Sequence, residues 1–274
     1  FGEPLPANHG VWFLSLEQHI FEFILWNAFY MMIFFGYANR FRSVKHVTST
    51  QDGFSGRRSP SLRRFDALLT LIAICSFVGT IFIKLSKPHP LWQLQYLFQP
   101  CHVLNIMVVI MCFYQRPAGA NSVANEKIHK LANGLFNGYG YWMSSALFAL
   151  LSPDLRERPE LEIVHYYLLH WLLVLVPFYL LFTGKYTLWT SPNTLFFFIP
   201  FALYHFDVLT PITMLLGGNM NYLMQPPDVP VLIACGRFFR FVMQPVSFIL
   251  SFLTWCVLAL TNRFLLPIVK PKIQ

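Results

Sequence analysis

Seven ionisable side chains stand inside long apolar stretches of this sequence: Glu22, Cys101, His102, His165, His170, His205 and Asp207. Polar groups of this kind are costly in hydrocarbon, so each is a candidate functional residue by default. Four of the seven are histidines, and Asn105 follows Cys101 by about one helical turn. A thiol and imidazoles suit acyl transfer. The thiol loses its proton to a neutral imidazole, attacks an ester and carries the acyl group as a thioester, and the same imidazole then activates the acceptor alcohol. Asn105, or backbone N–H groups left free near Pro100, are the candidates to hold the oxyanion.

The setting of Cys101 is Gln99-Pro100-Cys101-His102. Residues 101–115 supply only about 22 Å of helix, too little to span, so the chain from Leu91 must enter the membrane as well. Pro100 then falls inside the hydrophobic layer. It either kinks one helix or begins a new one after a re-entrant piece. In the second case Cys101 lies in a first helical turn, where unpaired N–H groups and the dipole favour a thiolate. Counted from the same boundary, Cys101 falls about 9 Å deep, His170 about 12 Å, Asp207 about 14 Å and His205 about 17 Å. His102 is turned about 100° from Cys101 and is better placed to orient a neighbour than to deprotonate the thiol. His165 is expected on a different face from His170. Cys75, Cys112 and Cys256 read as small hydrophobes in apolar runs.

The elements that must position these groups are membrane helices. Of 274 residues, 55% are hydrophobic, 18% aromatic and only 12% charged, with a mean hydropathy of +0.50. A soluble domain carries about 25% charge. The composition excludes a disordered chain, a nucleic-acid-binding domain and a typical cytosolic enzyme, and it leaves an all-α integral membrane protein. Seven spans are expected, over 20–38, 66–85, 93–115, 129–151, 162–182, 194–216 and 238–260, in a single domain covering 1–274. Asn133-Gly134 and Asn137-Gly138 interrupt the fourth, where small residues allow close helix approach. The net charge is +8. Fourteen of the 20 basic residues fall on one side of these spans, seven of them in the loop 40–65. Lys84, Lys87, Arg156, Arg158, Arg237 and Arg240 fall on the other. The positive-inside rule then puts the C-terminus and the basic loop in the cytosol and the N-terminus outside or in the lumen. The chain begins at Phe1 rather than Met, and residues 1–10 do not read as a signal peptide. The five cysteines make neither a disulfide framework nor a Cys-x-x-Cys pattern, and no cofactor or metal is called for.

Three pieces occur in order: Pro100-Cys101-His102 opening an apolar helix; Glu160-Leu161-Glu162-Ile163 with Tyr166-Tyr167, His170 and Pro177-Phe178-Tyr179-Leu180-Leu181; and Tyr204-His205-Phe206 followed by Asn219-Met220-Asn221 and Pro226. Together, over about residues 66 to 240, they resemble the transmembrane protein 164 family. The resemblance implies a multi-pass cysteine acyltransferase that moves a fatty acyl chain from a donor phospholipid to a lysophospholipid. The acceptor implied is of the ether phosphatidylethanolamine type, which feeds lipid peroxidation and ferroptosis. It further implies Cys101 as the nucleophile and His170 as its paired histidine, with His102, Asn105, His205, Asp207 and Asn219 in support. The endoplasmic reticulum or another endomembrane is the expected location rather than the plasma membrane.

The residues alone leave two other readings open. His170, His205, a further histidine and Asp207 could bind zinc in an intramembrane lipid hydrolase, although they are scattered single residues. A non-catalytic seven-helix subunit of a larger membrane complex also fits the span count, because topology by itself carries no function.

Overall fold

The computed structural model describes residues 14–43, 59–115, 123–151, 153, 155, 158–189, 197–220, 223–224 and 229–265; the basic loop 40–65 lies largely outside them. Every regular element among these residues is helical. Ten α-helices follow in order: α1 (Leu16–Ser43), α2 (Pro60–Leu85), α3 (Pro90–Gln93), α4 (Pro100–Phe113), α5 (Val123–Leu151), α6 (Glu160–Phe182), α7 (Phe198–Leu203), α8 (Thr210–Leu216), α9 (Pro230–Ala234) and α10 (Phe239–Leu260). A 3-10 turn, Leu94–Phe98, joins α3 toward α4, and a π-helical segment, Tyr204–Leu209, joins α7 to α8.

Five helices are long and apolar enough to cross a membrane: Leu16–Gly36, Pro60–Leu85, Glu160–Phe182, Phe198–Leu216 and Gly236–Phe264. A sixth candidate is a broken one, in which Pro90–Phe98 meets Pro100–Phe113 at 65°. The chain is therefore an integral, multi-pass helical membrane protein with five to six candidate spans. The expected stretch 129–151 does form a helix, α5, about 43 Å long, but it does not pass as a span on apolarity. Its surroundings account for this. The helix packs against α4, α6 and α10, so most of its side chains meet protein rather than lipid. Phe136, Tyr139 and Tyr141 on it are fully buried.

The polar residues of α5 serve this central position. Asn133 Oδ1 accepts the Thr187 N–H (2.8 Å) and Asn137 Oδ1 accepts the Trp189 N–H (2.7 Å), so two amides spaced i, i+4 hold the chain that leaves α6. A Cβ at Gly140 would meet Leu258 at 3.1 Å, which shows how closely α10 approaches. Thr254 Oγ1 donates to the Gly140 carbonyl across the same contact. In α6, Pro177 has no N–H, so the Leu173 carbonyl lacks its helical partner. The Tyr139 hydroxyl donates to that carbonyl at 2.7 Å instead.

Lipid-facing surfaces follow from helical spacing. Leu161, Val164, Leu168, Trp171 and Leu175 form an exposed stripe along α6. The opposite pattern marks α2, where Asp66, Leu69, Thr70, Ala73, Ser76 and Thr80 are buried. α2 thus turns a partly polar face inward, toward α4 and α6.

Side-chain contacts sort the helices into two ends. At one end Asp66 of α2 accepts from Lys185 (2.8 Å), Tyr179 (2.8 Å) and Gln115 (3.1 Å), which joins the start of α2 to the ends of α4 and α6. At the other end Lys87 pairs with Glu162, and Trp92 donates to the Leu216 carbonyl at 2.6 Å. Also there, Gln18 donates to the Arg237 carbonyl, and Arg240 is 2.7 Å from Glu22. The Asp66–Lys185 pair is almost fully buried, so removing one partner strands a charge in a dry interior. Asp66→Ala should cost about 3–5 kcal/mol, and Asp66→Ala with Lys185→Met should recover much of it. Thermal unfolding of purified protein in detergent checks this, and equal melting of the single and double variants would contradict it.

Candidate functional site

The 65° break puts Pro100 at the first position of α4 and Cys101 immediately after it. Pro100 suits this position because the N–H it lacks would have had no helical partner. The Gln99 carbonyl accepts from the N–H groups of His102 (2.9 Å) and Val103 (3.3 Å), which closes the first turn. Of the two arrangements expected at Pro100, a new helix begins there, at a sharp break from the preceding turn. Cys101 is half-buried, whereas Cys112 on the same helix is fully buried.

Cys101 lies half-buried in the seam between α2, α4 and α6, three helices that all touch one another, and this seam is the cleft of the site. On α2 the polar face continues past Ser76 through Thr80 to Lys84 at helical spacing, and Lys87 follows just beyond the helix end. On α6 the facing residues are Glu162, His165 and His170. A Cβ at Gly79 would meet the His165 ring at 3.2 Å. That close approach allows the Thr80 hydroxyl and His165 Nε2 to hydrogen-bond at 3.0 Å. His165 was expected away from the face of His170, yet the cleft takes in both. α2 flanks one side of α6 and α4 the other, so a wide arc of α6 faces polar neighbours.

His170 is buried, and its Nδ1 lies 2.7 Å from the Tyr166 carbonyl. A carbonyl can only accept, so Nδ1 carries the proton and Nε2 keeps the lone pair a base needs. The Tyr166 ring packs on the imidazole at 4.2 Å between centroids, and its hydroxyl donates to the Ala149 carbonyl of α5 at 2.6 Å. Tyr166 therefore fixes His170 from below. His102 is also buried, with Nδ1 lacking a hydrogen-bond partner among the described residues, and it lies within electrostatic range of His170, His165 and Lys84. No hydrogen bond joins Cys101 to His170 among the described residues; the charge of Lys84 reaches both Cys101 and His102, and His102 in turn lies within electrostatic range of His170.

The other expected residues are placed differently. Asn105 is fully buried, and its amide donates to the Ala73 carbonyl at 3.0 Å. It fastens α4 to α2, and that bond commits one amide hydrogen that an oxyanion would have used. His205 carries its proton on Nδ1, donating to the Phe201 carbonyl at 2.9 Å. It lines a separate cavity with Phe198, Phe201, Arg240, Gln244 and Ser247. Asp207 is exposed on the π-helical segment. Asn219 accepts from the Met224 N–H at 2.9 Å and shapes the loop after α8. The neighbour of His205 comes to the cleft instead. The Tyr204 hydroxyl donates to the Phe98 carbonyl, three residues before Cys101, and lies within electrostatic range of Cys101. Among the described residues no three His, Cys, Asp or Glu side chains gather to hold a metal ion, so the scattered zinc ligands are not assembled.

Sequence reasoning missed Lys84 and Tyr204 near Cys101, and Thr80 as the partner of His165. Lys84 entered only as a loop charge. The signal that would have found it is the series 73, 76, 80, 84 of small and polar residues on one face of an otherwise apolar helix. The half-buried and fully buried thiols of α4 make a chemical contrast. With Cys75, Cys235 and Cys256 replaced by serine, N-ethylmaleimide should modify Cys101 at least about tenfold faster than Cys112. Mass spectrometry of peptides reads this, and equal rates would contradict the open cleft.

The TMEM164 family model matches residues 53–259. The chain is also 26% identical over 228 residues to the transmembrane protein 164 homolog of Dictyostelium discoideum, covering 82% of this chain and 76% of that protein. No solved structure matches. The matched stretch contains α2, α4, α5 and α6 and with them the whole cleft around Cys101, and the chain belongs to the TMEM164 family.

Proposed function

We propose that this protein is a cysteine-dependent acyltransferase that moves a fatty acyl chain from a donor phospholipid to a lysophospholipid. The observation that carries the reading is the placement of Cys101. It is a half-buried thiol in the first turn of a helix that starts at a bent break, opening on a cleft that holds three histidines and a lysine. The Nδ1–H tautomer of His170 leaves Nε2 as the acceptor that general-base catalysis requires.

The steps balance with these groups alone. The Cys101 thiol gives its proton to His170 as substrate draws the two together, a closing common to catalytic hydrogen bonds that are long before substrate binds. The thiolate attacks the ester carbonyl of the donor. The carbon–oxygen bond breaks, and the released lysophospholipid takes the proton from the imidazolium. An acceptor lysophospholipid hydroxyl then returns a proton to His170, attacks the thioester and frees the thiol. The N–H of Cys101, in the first turn of α4, is the backbone donor for the oxyanion in this proposal.

In this proposal the bundle has seven helices with α5 at its centre and an N-terminus in the lumen of an endomembrane such as the endoplasmic reticulum. The basic-residue count supports that orientation. The end bearing Lys84 and Lys87 then faces the lumen. Cytosolic acyl-CoA could not reach Cys101 without carrying its charged nucleotide across the membrane, whereas a phospholipid arrives sideways through the lipid. Ether phosphatidylethanolamine acceptors, and through them peroxidation-sensitive lipids, are the substrates proposed.

Transfer of a labelled acyl chain from phosphatidylcholine to lysophosphatidylethanolamine by purified protein tests this. Cys101→Ser should lower the rate by at least about 10³-fold and abolish a hydroxylamine-sensitive label on the protein. His170→Ala should lower it by about 10²–10⁴-fold. A Cys101→Ser protein that folds and retains transfer would refute the proposal.

A further inference from the structure

We propose that Lys84, with Lys87 and Arg158 beside it, forms a phosphate-binding subsite at the mouth of the cleft and holds the head group of an incoming phospholipid next to Cys101. This deepens the acyl-transfer reading and rests on it for the role of Cys101.

The charge balance at the mouth is the first observation. Glu162 is shared by two cations, Lys87 and, at 2.6 Å, Arg158. Lys84 has no carboxylate within ion-pair distance among the described residues. Among the described residues three cations thus gather about the one carboxylate of Glu162, where the chain enters the apolar layer. A lone ammonium in a partly desolvated place is costly unless an anion joins it.

The direction of Lys84 is the second observation. A cation in the last turn of α2 is favoured by the helix dipole, but an outward-pointing lysine would satisfy the dipole equally. Lys84 turns inward instead. Its Nζ stands 5.1 Å from the centre of the Tyr96 ring, and its charge reaches Cys101, His102 and His165. It is the next member of the inward polar series after Ser76 and Thr80.

The ligand class follows from geometry and surroundings. A phosphodiester supplies one negative charge and oxygens that accept charge-assisted hydrogen bonds from ammonium and guanidinium groups. In a glycerophospholipid the reacting ester or hydroxyl is only a few bonds from the phosphorus, so one end of the molecule can be anchored at Lys84 while the other lies at the thiol. The flanks of the cleft are lipid-facing, with Leu91, Leu161 and Val164 exposed beside it. A lipid head group therefore fits better than a free anion.

Binding, measured without turnover, separates this subsite from the chemistry. The full chain carrying Cys101→Ser, in detergent, is probed by native mass spectrometry with lysophosphatidylethanolamine, with a monoacylglycerol of the same chain and with inorganic phosphate. Adding Lys84→Gln should weaken lysophosphatidylethanolamine binding about tenfold and leave monoacylglycerol binding unchanged, while Lys84→Arg retains it. Thermal unfolding of each variant confirms that it folds. Unchanged lysophosphatidylethanolamine binding by Lys84→Gln, or an equal loss for both lipids, would overturn the subsite. Binding of inorganic phosphate with the same dependence on Lys84, and displacement of the lipid by it, would assign the site to a free anion and overturn the head-group reading. If the labelled-acyl assay fails while this head-group discrimination holds, the acyl-transfer reading is lost and the subsite stands.

Discussion

A polar group inside hydrocarbon must find its partner within the protein, because no water is there to supply one. The architecture around Cys101 follows from that constraint. α2 places Asp66, Thr70 and Thr80 on one inward face, where Lys185 and Tyr179 answer Asp66 and His165 answers Thr80, while Asn105 takes the Ala73 carbonyl between them. Some bonds stay within the helix, as when Thr80 and Thr70 donate to carbonyls four residues earlier. Others cross to α4 and α6 and set the spacing of the three helices. The cleft is what lies between elements whose polar residues require one another.

Prolines and irregular turns meet the same constraint by a second route. Each one frees backbone groups. The carbonyl stranded by Pro177 takes the Tyr139 hydroxyl. The break before Pro100 sets Cys101 in the first turn of α4. In the π-helical segment, Thr210 donates to the His205 carbonyl at 2.8 Å, and the altered phase turns Tyr204 toward Phe98 and His205 toward a different cavity. π-bulges occur often at functional sites because the extra residue re-aims side chains in this way.

α5 shows where hydropathy stops being a guide. A helix that contacts other helices on most of its circumference does not need an apolar surface, so its Asn, Gly and Ser residues look like interruptions in a linear reading. In three dimensions Asn133 and Asn137 anchor the segment after α6, and Ser144 meets Ser251 of α10 at 2.9 Å. The Asn-Gly pairs that weaken α5 as a span are the groups that let it stand at the centre.

Composition and periodicity determined the helical membrane class, the position of nearly every long helix, Pro100 as a kink or a helix start, and Cys101 as the candidate thiol. These properties are local: they depend on apolar run length, on proline lacking an N–H, and on the cost of an isolated polar residue in an apolar run. Only the tertiary structure decided which polar residues share a cleft. It brought Lys84 and Tyr204 toward Cys101, joined Thr80 to His165, fastened Asn105 to Ala73, and sent His205 and Asp207 elsewhere. Depth in a membrane can be counted along one helix, but the face a side chain presents to another helix depends on how both are rotated. That rotation is set by contacts far apart in the chain, such as Lys185 with Asp66 and Thr254 with Gly140.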